Sequence, residues 1–318
     1  MGKVLKNAAE RVAIAAAVAL VFTPFAPAIS PLLAKLIIGV GASIALGKIS
    51  SLVAKRPRVD SQRGTKEEVR SAVAARTIVY GRARIAGTMV YAGTHGTDNK
   101  YLSMVFVVAG HEIEGFEKWF LNDDEVTLDA DGFVTAGRFA GKVRITPHPG
   151  TATQAADAAL VADVTEWTTA HQLKGLAYYV ARFEFDPEVF TNGRPRINAV
   201  VKGAKLFDPR DSTIAWSNNW ALVMRDYLTR DPLGARIPTA DIDDAAIIAA
   251  ANISDELVTL KAGGSQPRYT ADGVIDVRQV RESAIGGLLS AGAGQLIYQG
   301  CKFTLYAGAD SPAAITLD

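Results

Sequence analysis

Cysteine is nearly absent: Cys301 stands alone in 318 residues. A single thiol excludes an internal disulfide and a thiolate zinc site, and it suits folding in a reducing compartment. Histidine is scarce as well. The four, His95, His111, His148 and His171, lie far apart and offer no pair at metal-ligand spacing. Net charge is missing too, since 34 basic residues against 33 acidic ones leave a formal +1. No overall basic field exists to hold nucleic acid, so any DNA contact is local or a transient passage. What is plentiful is apolar surface. Hydrophobic residues make up 49% of the chain, which excludes a disordered polypeptide. A length of 318 residues holds two average domains, each with a core of its own.

Reactive constellations are equally thin. His111-Glu112 with Glu114 has the residue types of an acid–base or metal site. No second histidine lies near to complete it, so a strand-end histidine among solvated acids is the favoured reading. Asp123-Asp124-Glu125 with Asp129 and Asp131 is acidic enough for calcium, but the spacing does not match a helix-loop-helix calcium loop and reads as a solvated hairpin edge. Gly39-Val40-Gly41 lacks the third glycine and the preceding strand of a dinucleotide site. Ser217 has no glycine elbow and no paired histidine. Trp216 and Trp220 suit a stacking platform for sugars or bases less well than core or interface anchoring. Cys301, in a predicted strand, reads as a small buried apolar residue. The expectation is a non-enzyme, with no catalytic, cofactor-binding or metal-ligating residues and no cofactor.

The N-terminal stretch from Val12 to Ala34 carries no charge, and about 20 apolar residues suffice to cross a bilayer. Pro24, Pro27 and Pro31 break it, because proline in a helix interior loses a hydrogen bond and clashes with the preceding turn. Two short helices, Leu5–Phe22 and Pro31–Val53, hinged by prolines, are expected. Three readings compete: a secretory leader with Lys3, Lys6 and Ala26-Pro27-Ala28, a membrane span, and an apolar arm buried against partner subunits. The broken pattern favours the arm.

Residues 1–54 are therefore assigned to an apolar helical arm, and the charged, proline-broken 55–66 to a linker. Beyond them the period changes to strands. Thr77–Ile85, Thr88–Ala92 and Tyr101–Ala109 are rich in β-branched and aromatic residues punctuated by glycine. Tyr101–Ala109 is apolar on both faces and is expected to be covered on both. Glu112–Leu121, Glu125–Leu128, Phe133–Ala136 and Lys142–Thr146 continue the pattern, and Thr153–Asp163 reads as a short alanine-rich helix. Gly175–Phe185 and Arg196–Phe207 are strands, with Asn192-Gly193 as a hairpin turn between them. Helices are expected at Asn219–Leu228, at Pro238–Lys261 capped by Thr239, and at Val277–Ala291 with Val280 on the buried side. A short strand is expected at Tyr269–Val274, and Gly294–Tyr306 closes as a hairpin turning at Gln299-Gly300.

One ordered series is distinctive. Trp167, His171 and Gly175 precede Tyr178-Tyr179-Val180; then come Phe190, Gly193, Pro195, Val201, Gly203 and Asp208-Pro209-Arg210. Ser217-Asn218-Asn219, Tyr227-Leu228, Tyr269 through Asp276, Leu288-Leu289-Ser290 and Gly300 complete it. In order and spacing the series resembles the bacteriophage tail hub and tail tip proteins, the lambda-like tail tip attachment protein J family, over roughly half of the chain.

The resemblance implies an α+β fold with two tail-tube-like β-sandwich or barrel domains and flanking helices, behind the apolar arm. Hub domain I would occupy 67–200 and hub domain II 201–318, with interleaving allowed. It further implies a structural virion protein: a homotrimeric hub at the distal end of a long tail, made in the host cytoplasm. Its implied partners are the tail tube or distal tail protein, tip and fibre proteins and the tape measure protein. It also implies passing DNA and a host membrane met by the arm. Longer family members carry further modules after the region matching Phe303–Ala307; here either other chains supply the receptor-facing part, or this is the hub portion of something larger. The rival reading is a membrane-anchored bacterial protein with a soluble β domain.

Overall fold

The computed structural model describes the backbone of Val69–Arg70 and whole residues from 76 to 309. The arm at 1–54 and the linker at 55–66 lie outside the described residues. Two units divide the chain: Ser61–Asp186 with Arg196–Asp318 in one, and Met1–Asp60 with Pro187–Pro195 in the other.

Strands dominate and helices are few, an α+β composition as expected. In chain order come β1 (Val69–Arg70), β2 (Thr77–Tyr80), β3 (Arg82–Ile85), β4 (Thr88–His95) and β5 (Tyr101–Ala109). Next are β6 (Gly115–Leu121), β7 (Asp124–Val126), β8 (Val143–His148), helix α1 (Ala158–Asp163) and β9 (Ala177–Glu184). β10 (Ile197–Lys202), β11 (Lys205–Asp208) and β12 (Thr213–Trp216) lead to helices α2 (Trp220–Thr229) and α3 (Asp244–Asp255). β13 (Leu257–Thr259), β14 (Ser265–Pro267), β15 (Gly273–Asp276), helix α4 (Arg281–Ala291), β16 (Gln295–Gln299) and β17 (Lys302–Tyr306) complete the order.

A five-stranded sheet runs β1-β4-β5-β9-β8. β5 holds its centre because it has apolar residues to offer on both faces. On one face Leu102, Met104 and Phe106 lie opposite Phe183, Ala181 and Tyr179; on the other, Val105 and Val107 lie opposite Val180 and Tyr178. A four-stranded antiparallel sheet, β3-β10-β6-β7, packs on the first of these faces. A register shift at Val200/Val201 leaves Glu117 unpaired and turns Phe116 to the same side as Trp119. The two rings stack at 5.0 Å. Trp119 then meets Tyr179 edge-on at 5.2 Å, and Tyr179 stacks on Phe106 at 5.0 Å. One aromatic core therefore joins two sheets into a sandwich. The buried Tyr179 hydroxyl is satisfied by donating to the Ala86 carbonyl at 2.6 Å.

The far face of the five-stranded sheet is covered by α1 and the chain after it. Asp157 caps α1, its Oδ1 accepting from the Leu160 N–H at 2.8 Å. Leu160, Val164 and Trp167 are buried there with Val105, Tyr178 and Val180. Cover on both faces of Tyr101–Ala109 is thus observed.

The remaining helices enclose a second cluster around Trp220, which is fully buried. Its indole N–H donates to the Leu288 carbonyl at 2.5 Å. Gly292 is required beside it, since a Cβ there would fall 2.2 Å from the ring. Arg225 clamps α2 to α3 with two bonds to Asp244, at 2.7 and 3.0 Å. β2 pairs with β15, so the 67–200 and 201–318 stretches share a ribbon.

Several expected details are corrected. Asn192-Gly193 is a turn, with the Gly193 N–H bonded to the Phe190 carbonyl, but it closes no hairpin. β9 and β10 belong to different sheets; a positive φ at glycine permits a turn without dictating which strands it joins. The helix expected from Pro238 begins only at Asp244, after a separate 3-10 turn at Thr239–Asp241, and its cap is Asp243 rather than Thr239. It ends at Asp255, and β13 begins at Leu257. Val280 is not buried: it is the N-cap of α4 and 70% exposed. The strand expected at Tyr269–Val274 lies at Gly273–Asp276. Cys301 is exposed, in the tip of the β16–β17 hairpin, where both Gly300 and Cys301 have positive φ.

Candidate functional site

His111 follows β5 and is 7% exposed. Its Nδ1–H donates to the Glu112 carbonyl at 2.6 Å, which leaves Nε2 to accept the Val79 N–H at 3.0 Å. Both ring nitrogens are occupied. Burial first, then the charge of Arg230, draws its pKa down to about 4, against the opposing pull of the Glu112 carbonyl and Asp226. A neutral histidine with two fixed bonds has no free nitrogen for proton transfer or metal binding. Glu112 and Glu114 turn to Lys205, at 3.0 and 3.9 Å.

Beside it lies a partly buried trio that sequence reasoning missed. Asp226 Oδ2 accepts from the Tyr80 hydroxyl at 2.6 Å, and Asp226 holds Arg230 with bonds of 2.6 and 3.0 Å. The spacing of Asp226 and Arg230, one helical turn apart, was a legible signal; the approach of Tyr80 from β2 was not. Burial and then the Asp226 charge push the Tyr80 phenol well up. The trio ties β2 to α2.

The other histidines are engaged separately. His148 Nε2 lies 2.9 Å from Asp157 Oδ2, and its ring stacks on Tyr178 at 4.3 Å. Burial raises the Asp157 carboxyl, but the His148 bond and the Leu160 N–H outweigh it and hold the group below the usual range. Among the described residues the buried Tyr178 hydroxyl has no close hydrogen-bond partner. His95 meets Ser103 at 2.9 Å, and His171 Nδ1 accepts from the Thr168 N–H at 3.0 Å. Among the described residues no group of three or more His, Cys, Asp or Glu could hold a metal ion.

The acids of the 123–131 stretch are distributed too. Asp123 pairs with Arg84, Glu125 with Lys118, and Asp129 accepts from the Asp131 and Phe133 N–H groups. Ser217 Oγ accepts from the Asn219 N–H at 3.0 Å. Trp220 is core. Trp216 lies half-buried between Arg82 and Lys202, at 5.4 and 5.0 Å. Gly39-Val40-Gly41 falls outside the described residues.

What the surface does offer is strand edges. Most outer strands carry charge or proline, which discourages further pairing: Arg82 and Arg84 on β3, Asp124 and Glu125 on β7, Arg144 and Pro147 on β8, Pro267 on β14. β12, β13 and β16 have neither. They instead expose Ile214 and Leu257 (each 69%) and Tyr298 (62%). A groove of about 330 Å³ also opens between β15 and α4. Among the described residues no helix is long and apolar enough to cross a membrane.

No family model matches this chain, and no curated protein does. Among solved structures, it is similar to a chain described as "Virion of native gene transfer agent (GTA) particle", at 18% identity and a TM-score of 0.45. The match covers 89% of this chain and 66% of that one, so this chain spans less than two thirds of that neighbour's length.

Proposed function

We propose that this chain is a structural virion protein, the trimeric central hub at the distal end of a long phage tail. The observation that carries the reading is the ordered series from Trp167 to Gly300. Its physical counterpart is the β-rich frame with the uncharged outer strands β12, β13 and β16. Uncharged edges bearing exposed apolar side chains are an aggregation hazard in a lone molecule and an asset in a closed ring.

In this reading each copy contributes two tail-tube-like β domains, and three copies close a collar between the tube or distal tail protein and the tip and fibre proteins. The tape measure protein and the leaving genome pass through it, and the N-terminal arm meets the host membrane. The role is structural, without catalysis or cofactor. Near-neutral composition suits a channel that must not hold phosphates. The test is a cryo-EM map of intact tails with this chain traced. Threefold copies around the channel are expected. Virions lacking the polypeptide, or its recovery in bacterial membranes without particles, would overturn the reading.

A further inference from the structure

We propose that the groove between β15 and α4 is a docking slot, which takes an extended segment of another polypeptide, free of acidic residues, as an added strand. Register sets its chemistry. The Val277 N–H bonds the Arg76 carbonyl, so in this antiparallel ladder Ile275 and Gly273 exchange bonds with Ile78 and Tyr80. The opposite edge of β2 follows the same alternation, since the Thr77 and Val79 carbonyls accept from Gly110 and Ala204. The peptide groups of Val274 therefore face away from β2, into the groove. Among the described residues neither its N–H nor its C=O meets a partner. Unpaired main-chain groups along a strand edge are matched by another extended backbone, the recognition mode of strand addition.

The opposite wall is shaped to admit one. α4 lines the groove with Ser283, Ala284 and Gly287, and a Cβ at Gly287 would meet nothing within 4 Å. About 330 Å³ lies open there, which is within the range of binding clefts. Charge narrows the occupant further. Asp272 is the one charged residue of the lining, and its Oδ1 already accepts the Arg82 N–H at 2.7 Å. No cation lines the slot, so an acidic segment is disfavoured and a lysine at the Asp272 end is favoured. The slot belongs to the single chain and does not rest on the hub reading.

The test is amide NMR of the full ¹⁵N-labelled chain. The probe is a pool of acetylated, amidated pentapeptides that alternate valine or isoleucine with threonine or serine and are led by lysine. Saturable shifts at the Val274 and Asp276 amides are expected. Gly287→Leu fills the slot and should weaken binding about tenfold or more, while melting stays level or rises because leucine is the better helix former. Val274→Pro removes the groove-facing N–H without touching a bond to β2 and should weaken binding similarly. Wild-type spectra without saturable shifts at Val274, or undiminished affinity in both variants, would overturn the slot.

Discussion

His111 makes the stability of this fold depend on pH in a predictable direction. Its folded pKa of about 4 lies below the ordinary 6.5. Above pH 6.5 the ring is neutral folded or unfolded, and stability is at its full value. As pH falls from 6.5 toward 4, the unfolded chain binds the proton first, and stability is lost across that window. The shift corresponds to about 3 kcal/mol. Protonated Nε2 would also present a donor to the Val79 N–H, with Arg230 already adding positive charge nearby. His95, lowered chiefly by burial, acts with the same sign. Asp157 acts in a separate window: its depressed pKa preserves stability until pH falls below the ordinary carboxylate range. Denaturant unfolding of the wild type between pH 7.5 and pH 4 should show the loss. A His111→Gln variant, which keeps a donor and an acceptor but cannot titrate, should show a flatter slope. An unchanged slope in the variant would place the titration elsewhere.

At the scale of elements, α2 shows how a short sequence signal sets a boundary. Asn219 Oδ1 accepts from the Ala221 and Leu222 N–H groups, while its Nδ2 donates to the Ala251 carbonyl on α3 at 2.9 Å. Asn219→Ala removes a cap and an interhelical bond together, and should cost about 2 kcal/mol. Chemical denaturation checks this, with Ser217→Ala as a milder comparison, since its hydroxyl accepts a single N–H. α2 was legible because its apolar spacing (Leu222, Val223, Tyr227) and the stop at Asp231-Pro232-Leu233-Gly234 agree locally. The continuous apolar run of β5 was legible for the same reason. Asn192-Gly193 misled because pairing is decided by distant residues: β10 finds β6 and β3, not β9. Asp243 displaced Thr239 as the cap because the Asp243 N–H bonds the Phe303 carbonyl on β17, a tertiary contact with no local trace. The trio of Tyr80, Asp226 and Arg230 was half-visible, as a pair one turn apart. The β15–α4 groove was invisible, because it depends on a partnerless edge meeting a stripe of small residues from another element.

At the scale of the whole molecule, the decisive question is whether the uncharged edges meet other copies. Ile214 on β12, Leu257 on β13 and Tyr298 on β16 are exposed in the single chain and so add little to its core, Tyr298 through a ring contact with Phe303 at 4.9 Å. Lysine at any of the three should leave the melting temperature nearly unchanged, since surface substitutions away from special features stay within about 0.5 kcal/mol. The same lysine on a strand edge that pairs between copies places a charge in a desolvated contact, an arrangement natural edge strands use to prevent pairing. The proposed collar therefore predicts a split outcome for Ile214→Lys, Leu257→Lys and Tyr298→Lys: intact monomer stability, but a shift from trimer toward monomer in sedimentation velocity. A head-to-tail ring needs two different patches on each copy, so at least one of these variants must act, and combining two on opposite patches should abolish closure. Falling stability in a variant would mean that its edge serves the monomer's own core. If all three variants kept a wild-type trimer, assembly through these edges would be excluded.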